Sequence, residues 1–194
     1  MPKLSIPRRS FLKATAAAAT VSAAACGKGP GPAWRVLTED EAHVLAAVCD
    51  RIIPADEDPG ATWAGALTFI DRQLATNLAA HREFYSRGLQ ALEATSQKQH
   101  GRPFSEIPPE AQDALLALVE SGHAPTDPWT GVDSRTFFDR VVEHTMIAFY
   151  GDPRHGGNRD RVSWRMLGIP DPPVRGRLRE GVHLDVRKFS ARKE

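Results

Sequence analysis

Apolar side chains recur at helical spacing in five separate stretches of this chain. In the first, Val44, Leu45, Val48, Cys49, Ile52 and Ile53 form the stripe of a helix with one inward face. Its start is marked by Thr38 with Glu41 three residues on, the pattern of a capping box, and Glu39 and Asp40 add favourable negative charge there. Pro54 ends it. Cys49 lies within the stripe, which predicts a buried thiol.

A second helix is predicted from Ala61 to about Ala80 on Trp63, Ala66, Leu67, Ile70 and Leu74. A third runs from His81 to His100 around Phe84, Tyr85, Leu89 and Leu92, with Gly101 as its stop. Pro108-Pro109-Glu110 opens a fourth, whose apolar part is Leu115, Leu116, Leu118 and Val119 and whose end is Gly122. Pro125, Asp127, Pro128 and Gly131 make residues 123–132 a loop. Asp133 or Ser134 caps a fifth helix with a broad face of Phe137, Phe138, Val141, Val142, Thr145, Met146 and Phe149. No convincing alternating run interrupts this body. The fold class expected is therefore mainly α, a single-domain bundle of about five helices over residues 37–170.

After Tyr150 the pattern breaks. Residues 151–160 are polar and glycine-rich, and they lead into Val162 to Pro170. Gly156-Gly157-Asn158 is the most specific local feature. It reads as a tight turn needing positive φ with Asn158 bonding its own loop, or as an ordered loop that docks on another chain. A third reading has Asp152, His155 and Asn158 binding a ligand. Residues 171–194 carry seven basic and four acidic side chains, and Val182, Leu184 and Val186 alternate there. A lone extended segment cannot stabilise itself, so it must lie on the body, lie on a partner or remain mobile.

Composition narrows the class. At 41% hydrophobic and 25% charged residues the chain is ordinary globular material, and a net charge of +1 gives no field suited to nucleic acid. No run of about 18 apolar residues exists, so no membrane-spanning helix is expected. Two cysteines make neither a disulfide-dense scaffold nor a four-thiolate zinc site.

The first 25 residues read as an address. Lys3, Arg8, Arg9 and Lys13 precede an Ala-rich stretch that closes on small residues, the order of an export signal. Arg8-Arg9-Ser10-Phe11-Leu12-Lys13 resembles the twin-arginine motif, with Pro7 in place of the usual Ser or Thr. The export route therefore rests on Arg8, Arg9, Phe11 and Leu12. Ala23-Ala24-Ala25-Cys26-Gly27 resembles a lipoprotein box in which Cys26 would be acylated. Ala23-x-Ala25 equally suits a cleavage that leaves no lipid, so a lipid anchor and a free periplasmic chain both stay open. Residues 26–36 read as a linker. Without residues 1–25, 21 basic and 24 acidic side chains remain, a formal charge of −3.

Signatures of chemistry are sparse. No nucleophile elbow, phosphate loop, dinucleotide fingerprint or haem-attachment motif occurs in the sequence. The acidic turn from Ala55 to Gly60 lacks the ligand spacing of a calcium loop. Glu143-His144, with His155 and Asp152, offers acid/base groups, against a reading of His144 as a helix-surface histidine. Trp63, Trp129 and Trp164 read as core or interface anchors ahead of sugar-stacking platforms. No catalytic or metal-binding set is assigned.

Several motifs in order then become informative: Leu37-Thr38-Glu39-Asp40-Glu41, Asp50-Arg51-Ile52-Ile53-Pro54, Asp58-Pro59-Gly60-Ala61 and Phe69-Ile70-Asp71. They continue with Phe149-Tyr150-Gly151-Asp152-Pro153, Gly156-Gly157-Asn158 and Trp164-Arg165-Met166-Leu167-Gly168. Over Leu37 to Pro170 this series resembles the gluconate 2-dehydrogenase subunit 3 family. The resemblance implies a small, non-catalytic subunit of a membrane-associated dehydrogenase for sugars, sugar acids or alcohols. It also implies a large flavoprotein partner of the glucose–methanol–choline type that holds FAD, with a multihaem cytochrome c as a further subunit. The small subunit would support maturation of the flavoprotein and its passage through the twin-arginine machinery. Tyr150, Asp152, His155, Gly156, Gly157, Asn158 and Trp164 are the partner-interface candidates. Two alternatives are a stand-alone exported lipoprotein that binds a ligand or partner, and a periplasmic enzyme using His144 and His155.

Overall fold

A computed structural model describes residues 34–169. The targeting residues Arg8, Arg9, Phe11 and Leu12, the lipidation candidate Cys26 and the tail from Asp171 lie outside the described residues. Among the described residues six α-helices follow in chain order: α1 Glu39–Ile52, α2 Ala66–Ala75, α3 Arg82–His100, α4 Pro109–Glu120, α5 Ser134–Tyr150 and α6 Val162–Met166. Short 3-10 turns punctuate the connections, and no strand occurs among the described residues.

Local chemistry sets the helix starts. At α1 the Glu41 backbone N–H donates to Thr38 Oγ1 at 3.2 Å, and Thr38 N–H donates to Glu41 Oε2 at 2.9 Å. The reciprocal pair satisfies two of the donors that a helix start leaves unpaired. At α5 the Thr136 N–H donates to Asp133 Oδ1 at 2.8 Å. Gly101 ends α3 with φ +67. Arg51 and Asp113 join α1 to α4 through two parallel N–H···O bonds of 2.6 Å.

The second helix is shorter than its apolar spacing predicts. Residues 61–65 form a turn, and α2 begins only after Gly65, whose φ is +90. A side chain at Gly65 would strike the carbonyl oxygen of Gly156, so this turn is shaped by a loop distant in sequence. Trp63 therefore leaves the apolar stripe and is 42% exposed. The chain turns again after Ala75, and a 3-10 turn over Ala79–His81 precedes α3. The short α6 has no counterpart in the helical periodicity.

Trp34 to Val36, a linker by sequence, belong to the body. The buried Asp71 carboxylate on α2 accepts three consecutive backbone N–H groups, from Arg35 at 2.8 Å, Val36 at 2.9 Å and Leu37 at 3.1 Å. A buried carboxylate is costly unless its oxygens are occupied, and these donors occupy them.

Helix α5 packs against α1, α2, α3, α4 and α6. Leu45, Val48, Cys49, Ile70, Leu74, Leu89, Leu92, Phe104, Leu115 and Val119 surround it as core. Each such aliphatic or aromatic side chain contributes about 1.5–3 kcal/mol when fully buried. Phe137 of α5 stands among Tyr85, Trp129 and Phe84, with ring centroids at 6.2, 5.7 and 6.2 Å. Its ring lies directly over Gly88 of α3, where an added methyl group would overlap it.

Gly88→Ala therefore tests the core. Alanine in a helix interior gains about 1 kcal/mol over glycine. Displacing a ring held on three sides costs about 1–3 kcal/mol. The expected result is a lower urea midpoint, partly restored in the double variant Gly88→Ala/Phe137→Leu.

Candidate functional site

The loop after α5 is built as a clasp. Asp152 caps the turn Pro153–His155 by accepting the Arg154 N–H at 3.0 Å. The Arg154 guanidinium folds back onto the same carboxylate, with Nη2 2.6 Å from Oδ2. These bonds hold the Asp152 carboxyl well below its ordinary range, at about 2. Asp152 is therefore an occupied anion at neutral pH rather than a proton donor.

Gly156 follows with φ +105 against the Arg72 side chain. Gly157 rests on the α5 backbone at Ala148, leaving no space for a side chain. Asn158 is fully buried in the left-handed region, with φ 44. Its Nδ2 donates to the Gly151 carbonyl at 2.9 Å, and its Oδ1 accepts the Ser163 N–H at 3.1 Å. One amide side chain thus bridges the end of α5 to the start of α6. Asp160 and Arg161 also take positive φ, so the segment holds backbone strain that its surroundings must offset. The Arg159 N–H donates to Ala64 O at 2.9 Å, and Trp164 Nε1 donates to Tyr150 O at 3.0 Å.

The clasp sorts the interface candidates. Gly157 and Asn158 are interior and hold the loop in the tight-turn geometry, and Gly156 is partly covered. Tyr150 and His155 are exposed, while Asp152 and Trp164 are half-buried. Trp63, a core or interface anchor by sequence, lies at the surface beside Arg159, which the sequence did not single out. The Arg159 guanidinium lies 5.6 Å from the centroid of the Trp63 ring, a cation–π contact at the surface. Gly60 and Gly65 bracket Trp63 and were the available signal that it sits on a turn.

The acid/base candidates are not assembled. His144, expected at the helix surface, is buried instead, because Tyr85 of α3 reaches it. Tyr85 Oη lies 2.6 Å from His144 Nδ1, and the two rings stack at 14° with centroids 5.8 Å apart. Burial raises the Tyr85 pKa, so its hydroxyl remains protonated, and the His144 tautomer sets which partner donates in this bond. His155 stands exposed on the loop. Trp129 is core, donating from Nε1 to Thr95 Oγ1 at 3.0 Å. Cys49 is fully buried beside Thr145 Oγ1 at 3.4 Å, and burial pushes its thiol up to about 12. In the acidic turn Asp56 Oδ1 accepts the Asp58 N–H at 2.9 Å, an Asx turn. Among the described residues no group of three or more His, Cys, Asp or Glu side chains is placed to hold a metal.

Among the described residues these features define a small helical body whose polar loop groups are bonded within its own architecture. A family model described as Gluconate 2-dehydrogenase subunit 3 matches residues 39–170, and the chain belongs to that family. No curated protein and no solved structure matches it.

Burial lowers the His144 pKa, with smaller effects from Glu143 (raising) and from Arg140 and His81 (lowering). Below the ordinary histidine value of about 6.5 the unfolded chain takes up a proton that the folded ring resists. Stability is therefore present in full above that pH and falls as pH drops through the window beneath it. The expected slope is at most about 1.4 kcal/mol per pH unit. Urea midpoints at successive pH values should show the fall in the parent chain and a flatter profile in His144→Gln.

Proposed function

We propose that this chain is the non-catalytic small subunit of a periplasmic, flavin-dependent, gluconate 2-dehydrogenase-like complex and that it escorts the catalytic flavoprotein through the twin-arginine route. One observation carries the reading: a single chain joins a body of the gluconate 2-dehydrogenase subunit 3 family to the motif Arg8-Arg9-Ser10-Phe11-Leu12-Lys13. Twin-arginine export moves folded proteins, typically after a cofactor is loaded. The sequence of this chain carries no dinucleotide fingerprint, so a bound partner is the reason for such a signal.

That partner is a large subunit of the glucose–methanol–choline type holding FAD, with a multihaem cytochrome c passing electrons onward. The loop face supports the docking reading. Trp63 with Arg159, His155 and the edge of Trp164 present aromatic and guanidinium groups on a rigid clasp. Such groups dominate binding energy at protein interfaces. Acylation at Cys26 would add a lipid tether to the same assembly.

Replacing both arginines, Arg8→Lys/Arg9→Lys, should leave the flavoprotein and its activity in the cytoplasmic fraction. Normal export of the flavoprotein from that strain would refute the escort role. Trp164→Ala should lower recovery of flavin absorbance in a pull-down on the tagged small subunit more than it lowers the thermal midpoint. Equal losses would identify Trp164 as core.

A further inference from the structure

The outward stripe of α5 changes character halfway along. Arg135, Thr136, Asp139, Arg140 and Glu143 face solvent in its first half, and Met146, Ile147 and Tyr150 do so in its second. The chain then returns to the same end of the helix. Trp164 is bonded to the Tyr150 carbonyl, and the Ile169 N–H donates to Trp164 O at 2.7 Å. Met166, Leu167 and Ile169 lie on this return and, like the three α5 residues, are between 41 and 60% exposed. Single exposed apolar side chains are normal, but six in two stretches tied together form a patch of the kind proteins cover.

We propose that the chain's own C-terminal segment, residues 174–189, lies across this face. The described chain ends at Ile169, on the patch, and 25 residues follow it. Val182, Leu184 and Val186 alternate, so an extended segment would turn three apolar side chains to one side at a spacing of about 6.7 Å. Net charge favours contact between the tail and the body as a whole. Residues 34–169 carry 13 basic and 20 acidic side chains, a formal −7, whereas residues 170–194 carry seven basic and four acidic, a formal +3. Reach is ample, because the residues between Ile169 and Val182 span about 43 Å when extended. Helix α5, with 17 residues, is about 26 Å long. Tethering also keeps the segment at roughly millimolar effective concentration. The inference goes beyond the export reading and does not rest on it, and it leaves the Trp63–Arg159 face open.

The test places a photo-crosslinking benzoylphenylalanine at Ile147 in the full chain, purified alone at low concentration, with peptides mapped after irradiation. The expected result is a link within one chain, at monomer mass, to a peptide between Val174 and Phe189. A link to a second copy, or none to the tail, would overturn the proposal. So would a link to the flavoprotein in place of the tail in the native complex. A second variant, Val182→Asp/Leu184→Asp/Val186→Asp, should abolish the link and raise hydrophobic-dye fluorescence several-fold with helical circular dichroism unchanged. An undiminished link in that variant would also overturn it. None of these readouts depends on export, which the Arg8 and Arg9 substitutions report separately.

Discussion

Helix α5 can occupy the centre of this body because two neighbouring backbones present no side chain to it. Gly88 lets the Phe137 ring lie against α3, and Gly157 lets the returning loop reach the Ala148 carbonyl. One contact lies in each half of the helix. A side chain at either position would push a neighbour outward, and close-packed interiors accommodate such shifts poorly. The stacking of Tyr85 on His144, the seating of Cys49 by Thr145 and the course of the 151–164 loop all follow from where α5 sits.

The two ends of the described body are held by buried polar side chains with different donor inventories. At the entry three N–H groups converge, so the partner must be purely an acceptor, and the Asp71 carboxylate provides two oxygens for them. At the loop after α5 one carbonyl and one N–H must be satisfied together, which calls for an amide, and Asn158 supplies both. Asn158 also tolerates the left-handed backbone better than most residues. Aspartate at that position would leave the Gly151 carbonyl facing a second acceptor.

Much of the fold was legible because the signals were local. The Thr38–Glu41 box, the Asp133 cap, the stop at Pro54 and the stop at Gly101 depend on residues within a turn of each other, and the helices begin and end accordingly. Where the determinant lay far along the chain, local reading failed. Trp63 has the spacing of a core residue, yet the approach of Gly156 to Gly65 opens that stretch into a turn. His144 reads by sequence as a helix-surface histidine, but Tyr85 of a neighbouring helix reaches across to it. The candidate site shows the same division. The Gly156-Gly157-Asn158 motif announced a special backbone, while its two bonds and the pairing of Trp63 with Arg159 required the tertiary arrangement.

Cys49 carries a consequence for redox behaviour. Thiols react with oxidants and with other thiols as thiolates, and only where solvent admits the reagent. A group with a pKa near 12 and no exposed surface meets neither condition. Once folded, Cys49 is therefore shielded whether the surroundings are reducing or oxidising. Assembly through this sulfur then offers no covalent crosslink to make or undo.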